Sequence, residues 1–252
     1  MSRTIIIIPT YNEANNLPIL VAEIWALKIP NLAILVVDDS SPDRTGDIAD
    51  DLSKRKTGEL HVIHQPGKRG LGQAYITGFS WSLDHGADYI IQMDSDFSHA
   101  PLYILDMLQQ IEDADLVVGS RYVEGGQVDK NWSFGRYLMS WWANSVYTKI
   151  ILNLKVKDAT SGFKCWRADA LARIRFENIK SNGYSFQFEM AYLAERIGLR
   201  IVEIPIYFED RRIGKSKMTI PIKVEAVFRA WDIRWRYRKL RKNDTDLDAM
   251  SS

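Results

Sequence analysis

The sequence predicts an α/β protein: a mostly parallel sheet with helices on both faces, closed by a carboxy-terminal amphipathic helix. Two observations carry this reading. Strand and helix signals alternate through the first half of the chain. Three apolar runs also break off into polar clusters, Pro9-Thr10-Tyr11-Asn12-Glu13, Asp38-Asp39-Ser40 and Asp94-Ser95-Asp96. In an open α/β sheet the carboxyl ends of parallel strands share one edge, and ligands bind there.

Residues 4–8 form a short run dominated by isoleucine, and near-continuous apolar character marks a strand covered on both faces. Helical apolar spacing follows over 13–28. A second buried strand spans 33–37, after which Ser40-Ser41-Pro42-Asp43 supplies helix-start chemistry for a helix over about 44–54. The alternation continues with a strand at 60–64, a helix at 71–84, a strand at 89–93, a helix at 102–111 and a strand at 116–118.

The second half is less regular. Residues 134–154 read as one long helix crowded with Tyr137, Trp141, Trp142 and Tyr147, whose only charges are Arg136 and Lys149. A core helix and a membrane-facing groove both fit that composition. A helix at 186–197 and a strand at 200–208 lead into Arg211-Arg212-Ile213-Gly214-Lys215-Ser216-Lys217, four cations in seven residues. That loop suits a phosphate clamp or a solvated turn. The last helix, about 220–240, puts Ile220, Val224, Val227, Phe228, Trp231 and Trp235 on one face, with Glu225, Arg229, Asp232 and Arg236 opposite. It ends in six basic residues between 234 and 242 with no acid. It reads either as an interfacial anchor for anionic lipid or as a helix docked on its own domain. Residues 243–252 are expected to be disordered.

At 252 residues, 46% hydrophobic and 26% charged, the chain can bury a large core. Thirty-three basic against 32 acidic residues leave a net +1, which gives no global charge for nucleic acid. The single cysteine, Cys165, cannot form an internal disulfide and reads as a buried apolar residue in a protein of a reducing compartment. Pro9 and Thr10 end the first apolar run too soon for a signal peptide. No stretch supplies the roughly 18 apolar residues of a membrane span. The expected location is the cytoplasm, peripheral on the cytoplasmic face of a membrane.

Asp94 and Asp96 are separated by one residue at a strand end, where two hard oxygen ligands can hold Mg²⁺ or Mn²⁺ against a diphosphate. An isolated Asp-x-Asp is more often a solvated turn closing a strand. Gly70-Leu71-Gly72 lacks the third glycine of a dinucleotide fingerprint, and the segment after the first strand is not glycine-rich. A nicotinamide dehydrogenase therefore fits poorly.

The order of short motifs is more specific than any one of them. After the three strand-end clusters come Gly119-Ser120-Arg121-Tyr122, Thr160-Ser161-Gly162-Phe163, Gly183-Tyr184-Ser185-Phe186-Gln187-Phe188-Glu189 and Gly214-Lys215-Ser216-Lys217. This series resembles the inverting family 2 glycosyltransferases of the GT-A fold, most closely the polyprenol (dolichol) phosphate mannosyltransferases, over roughly residues 4–218. The resemblance implies a GT-A domain at 1–218 and an appended helix and tail at 219–252. It implies transfer of mannose from GDP-mannose to a dolichyl-type polyprenyl phosphate. A UDP-glucose-dependent polyprenyl phosphate glucosyltransferase is the alternative, and a non-catalytic nucleotide-sugar-binding scaffold is a third reading.

By the same resemblance, Pro9, Tyr11, Glu13, Val37 and Asp39 match positions that hold base and ribose, and Ser95 belongs with the donor-binding residues. Tyr11 has a ring to stack on a base, while Glu13 and Asp39 are hydrogen-bond acceptors. Asp94, Asp96 and Ser98 match metal-binding positions, and Arg211 and Lys217 match basic residues that close over the donor phosphates. Arg121, Arg136 and Ser140 match positions that grip the acceptor phosphate. Asp96, Arg121 and Arg136 are the residues expected to carry transfer. No general base is needed, because a phosphate monoester with a second pKa of about 6 is already mostly a dianion at neutral pH. Relatives often carry membrane spans after this domain, whereas this chain has the basic amphipathic helix. It either docks on the bilayer itself or relies on a membrane-embedded partner subunit.

Overall fold

The computed structural model describes residues 2–176, 179, 181–210 and 220–238. Its strands are β1 (Thr4–Thr10), β2 (Leu32–Asp38), β3 (Leu60–His64), β4 (Tyr89–Gln92), β5 (Leu116–Ser120), β6 (Gln127–Val128), β7 (Lys164–Arg167), β8 (Ile201–Pro205) and β9 (Tyr207–Phe208). Seven of them form one sheet in the order β3-β2-β1-β4-β7-β5-β8, and β6 pairs with β9 in a small second sheet. Only β7 runs antiparallel to its neighbours in the main sheet. The carboxyl ends of β1, β2, β4 and β5 thus face one edge, and the segment entering β7 arrives at that same edge.

The helices are α1 (Leu17–Ala26), α2 (Thr45–Arg55), α3 (Leu71–Asp84), α4 (Tyr103–Gln110), α5 (Phe134–Trp141), α6 (Thr148–Leu152), α7 (Ala168–Ala172), α8 (Gly183–Arg196) and α9 (Ile220–Arg236). Strand β1 shows why both faces must be covered. Ile5 and Ile7 enter a core with Tyr75, Phe79 and Phe186 from α3 and α8, whereas Ile6 and Ile8 enter one with Leu20, Ile24 and Met107 from α1 and α4. The period of two along a strand makes this division automatic.

Three sequence expectations shift. α1 starts four residues later than its apolar spacing predicts. Asn12 takes a left-handed φ of 61°, and the Asn16 and Leu17 amides bond back to the Glu13 carbonyl before the helix begins. The single strand expected at 200–208 divides at Ile206, directly after Pro205, which has no N–H to donate. Strand β7 carries no apolar signature, since Lys164 and Arg167 flank Cys165 and Trp166.

The long helix expected at 134–154 is continuous from α5 through a π-helical segment, Trp142–Tyr147, into α6. It ends at Asn153 in the left-handed conformation, a residue type suited to that cap. Helix α9 packs against α6 and α8. It buries Ala230, Ile233 and Tyr237 and leaves Phe228, Trp231 and Trp235 exposed by 71, 55 and 70%. The two readings of this helix are therefore compatible, because it docks through a face opposite its tryptophans. Among the described residues, no helix is long and apolar enough to cross a membrane.

Candidate active site

Three of the strand ends at the shared edge turn sharply. Asn12, Ser40 and Phe97, following β1, β2 and β4, all have φ near +60°, a conformation that non-glycine residues adopt rarely and that clusters at functional sites. Pro9 and Val37 are register partners at the ends of β1 and β2. Asp38 ties those ends together, accepting from the Thr10 hydroxyl at 2.9 Å and the Ser41 amide at 3.0 Å.

Asp39 is buried, and both its oxygens receive backbone amides, from Arg69 at 2.6 Å and Gly70 at 2.7 Å. It therefore holds the 69–72 turn at the sheet edge. Asn182, at the start of α8, fastens the turn from the other side: its carbonyl accepts the Gly72 amide at 2.7 Å and its amide donates to the Arg69 carbonyl at 2.9 Å. Gly70 has φ +88°, and a β-carbon there would collide with the Asn182 side chain. Close approach to Asn182, rather than a dinucleotide, explains the paired glycines. Tyr11 carries the Lys68 ammonium 3.8 Å from its ring centroid. Glu13 accepts from the Asn16 side-chain amide at 2.8 Å.

Beyond β4, Asp94 is half-buried and Asp96 buried. The Tyr75 hydroxyl donates to Asp94 Oδ1 at 3.2 Å, and Asp96 Oδ1 accepts the Ser98 amide at 3.1 Å, an Asx turn that accommodates Phe97. Burial, then the Asp94 charge, raises the Tyr75 phenol well above its ordinary pKa, so it stays a donor. Ser95 is buried beside them. The Ser98 hydroxyl is buried and has no hydrogen-bond partner among the described residues. Two carboxylates and this orphaned hydroxyl form an all-oxygen donor set, the chemistry that suits a hard divalent cation. Among the described residues, no three His, Cys, Asp or Glu side chains gather into a metal cage. A cation here would thus depend on substrate phosphates and water for its remaining ligands, the usual arrangement for Mg²⁺.

The next residue, His99, is buried, stacked on Phe163 with centroids 5.0 Å apart and edge-on to Phe208. Burial lowers its pKa to about 4, against the raising effect of Asp96. Behind Asp94, Lys164 is fully buried and donates to the Ser161 carbonyl at 2.6 Å and to the Gln187 side chain at 2.8 Å. Burial brings its amine down to about 7, opposed by Asp158 and Asp94. Cys165 is buried and its thiol pKa is raised by burial, so it packs rather than reacts.

Arg121 follows β5 on the same edge. Its Nε and Nη2 donate to Asp158 at 2.7 and 2.6 Å, and Nη2 also reaches the Thr160 hydroxyl at 2.9 Å. Its neighbour Tyr122 donates to the Ser140 hydroxyl of α5 at 2.8 Å, joining two positions matched to the acceptor side. Arg211 and Lys217 lie outside the described residues, as does the side chain of Arg136.

The structure thus gathers Pro9, Tyr11, Glu13, Val37, Asp39, Asp94, Ser95, Asp96, Ser98 and Arg121 on the strand ends and following loops of one sheet edge, with Ser140 reached through Tyr122. Sequence reasoning did not single out Asp158, Lys164 or Asn182. Asp158 stands two residues before the Thr160-Ser161-Gly162-Phe163 motif, and that proximity was the available signal.

Comparison with known proteins agrees with this geometry. A profile of Glycosyl transferase family 2 matches residues 5–175. The chain is 44% identical to the undecaprenyl-phosphate mannosyltransferase of Micrococcus luteus, over 95% of this chain and 98% of that protein. It is 41% identical to the polyprenol monophosphomannose synthase of Mycolicibacterium smegmatis, over 95% of this chain and 90% of that protein. Among solved structures, mannosyl-3-phosphoglycerate synthase from Rubrobacter xylanophilus superposes with a TM-score of 0.66 at 17% identity, covering 94% of this chain and 75% of that one. The glucosyl-3-phosphoglycerate synthase of Mycobacterium tuberculosis, crystallised with Mn²⁺, UDP and glucosyl-3-phosphoglycerate, gives 0.66 at 16% identity, covering 96 and 81%. At these identities the structural likeness is one of fold.

Proposed function

The chain belongs to glycosyl transferase family 2, and from that premise we propose that it transfers mannose from GDP-mannose to a polyprenyl phosphate, inverting the anomeric centre. The observation that carries this reading is the meeting of Asp94, Asp96 and Arg121 on one sheet edge, an acidic pair beside a guanidinium. The names of the two relatives above 40% identity supply the sugar and the lipid.

The donor lies across the ends of β1, β2 and β4. Pro9, Tyr11, Glu13 and Val37 receive base and ribose, with Asp39 fixing the 69–72 turn beside them. Asp94 and Asp96, with Ser98, are the residues to hold a divalent cation, Mg²⁺ or Mn²⁺, which when bound offsets the charge of the departing diphosphate; the Mn²⁺ and UDP of the mycobacterial neighbour support this. Ser95 belongs to the same donor loop, and Arg211 and Lys217 add positive charge to the diphosphate. Arg121, Arg136 and Ser140 take the acceptor phosphate, to which the always-charged guanidinium groups bring N–H donors and positive charge. The phosphate arrives ionised, so these residues serve to align two anions for in-line attack rather than to remove a proton.

Residues 1–218 carry the transfer, and 219–252 add a helix whose outward Phe228, Trp231 and Trp235 suit the surface of a membrane holding the lipid substrate. The cytoplasmic leaflet, with its anionic lipids, complements the basic residues that follow. A membrane-embedded partner subunit is the other route by which the domain could reach its lipid substrate.

The test is incubation with radiolabelled GDP-mannose or UDP-glucose, Mg²⁺ or Mn²⁺, and a short polyprenyl phosphate, followed by solvent extraction. Label from GDP-mannose alone should enter the organic phase. Label only from UDP-glucose would replace the donor assignment, and none from either would remove the activity.

A further inference from the structure

We propose that Asp158 is a positioning residue that fixes the Arg121 guanidinium for the acceptor phosphate. Asp158 is wholly buried and receives three donors from Arg121: the backbone amide at 2.9 Å, Nε at 2.7 Å and Nη2 at 2.6 Å. A bidentate pair fixes the guanidinium plane as well as its place. The Thr160 hydroxyl accepts from Nη2, and the rings of Phe208 and Tyr122 lie 5.0 and 5.2 Å from the guanidinium carbon. The long side chain is thus ordered before any substrate arrives.

The carboxylate is itself anchored. Glu203 of β8 accepts the amides of Lys157 and Asp158 at 2.9 and 3.0 Å, and Glu195 of α8 accepts those of Lys155 and Val156 at 2.7 and 2.8 Å. The same segment reaches the acceptor helix: the Thr160 amide donates to the Asn144 side chain, whose amide donates to the Ser140 carbonyl, both at 3.0 Å. One loop therefore aligns Arg121 and Ser140 together. A buried ion pair adds little net stability, whereas a guanidinium held in advance spares the ordering that phosphate binding otherwise requires.

This inference rests on the assignment of Arg121 to the acceptor side, and the experiment separates the two. Steady-state kinetics with GDP-mannose and a short polyprenyl phosphate are measured for the full chain and for Asp158→Asn, Thr160→Val and Arg121→Lys. Asp158→Asn should raise KM for the lipid phosphate about tenfold, as expected for a lost charge-assisted contact, and leave KM for GDP-mannose within about twofold. Thr160→Val, a near-isosteric change, should raise the lipid KM about threefold, and it decides the matter should the Asn protein not fold. Unchanged or lower lipid KM in the folded variants, beside a raised one in Arg121→Lys, overturns the role of Asp158 alone. A rise only in donor KM for Arg121→Lys overturns the Arg121 assignment, and this proposal with it.

Discussion

Gly162 lies directly against Asp94: a β-carbon at Gly162 would stand 2.9 Å from Asp94 Oδ2. The other carboxylate oxygen of Asp94 accepts the Tyr75 hydroxyl at 3.2 Å. The carboxylate is thus set between a backbone it touches and a phenol it binds, and its orientation follows from both. Gly162 is required for space, and it lies where the chain enters β7 at the edge that β4 leaves.

Gly162→Ala should push the Asp94 carboxylate out of place without breaking the sheet. The expected outcome is a loss of transfer of about tenfold or more, since a misplacement near 1 Å costs on that scale. The apparent affinity for Mn²⁺ should weaken in parallel. Metal titration of activity, with thermal unfolding as control, checks both.

Tyr75→Phe removes one hydrogen bond and leaves the ring packed on Phe79 and Phe186, 6.1 and 5.9 Å away. Stability should fall by about 1 kcal/mol, the usual net value of such a bond. Activity should drop several-fold through the loosened Asp94. Chemical denaturation and initial rates together test the assignment, and an active variant of wild-type rate would remove Tyr75 from the site.

Lys164 gives a pH dependence of definite sign. Burial lowers its amine from 10.5 to about 7. Between those values the unfolded chain binds the proton and the folded chain does not, so the lysine's contribution to stability rises with pH across that window. It is fully present above about 10.5 and lost as pH falls through 7. Urea unfolding without added metal should show this rise in the wild type, and Lys164→Met should flatten it. Parallel pH profiles in the two proteins would contradict the account.

What could be read from the sequence follows from how local each signal is. The ends of β1, β2 and β4 were legible because buried strands are continuous apolar runs and the polar residues that stop them are adjacent. Strand β7 was not, because its four residues owe their burial to β4 and β5 on either side. The same reasoning separates the site residues. Asp94 and Asp96 announce themselves by spacing. Asp158, Lys164 and Asn182 act on partners 37, 23 and 110 residues away, and only the folded sheet edge brings these together. Helix α9 lies where its periodicity predicts, but Ala230, Ile233 and Tyr237, the buried residues on its described face, lie outside the expected stripe, of which Phe228, Trp231 and Trp235 are exposed.

The outward face of α9 should bind lipid. Replacing Phe228, Trp231 and Trp235 with serine removes mostly exposed apolar surface together with the Trp231 hydrogen bond to Tyr147, so the melting temperature should fall only modestly. Sedimentation with phosphatidylserine-containing vesicles should show binding reduced by about tenfold or more, given roughly 25 cal/mol per Å² of apolar area. Undiminished vesicle binding by the folded triple variant would place the lipid contact elsewhere.

The central claim is that the strand-end carboxylates serve transfer of mannose to a lipid phosphate, and Asp96→Asn tests it most directly. The measurement is the rate at which label passes from GDP-mannose into the organic phase, across a Mn²⁺ titration, for wild type and variant side by side. Transfer that requires metal in the wild type and falls by at least about a thousandfold in a folded Asp96→Asn protein, consistent with losing a principal electrostatic element of the site, is the predicted result. A folded variant that transfers mannose at near wild-type rate and with the same metal dependence would contradict it.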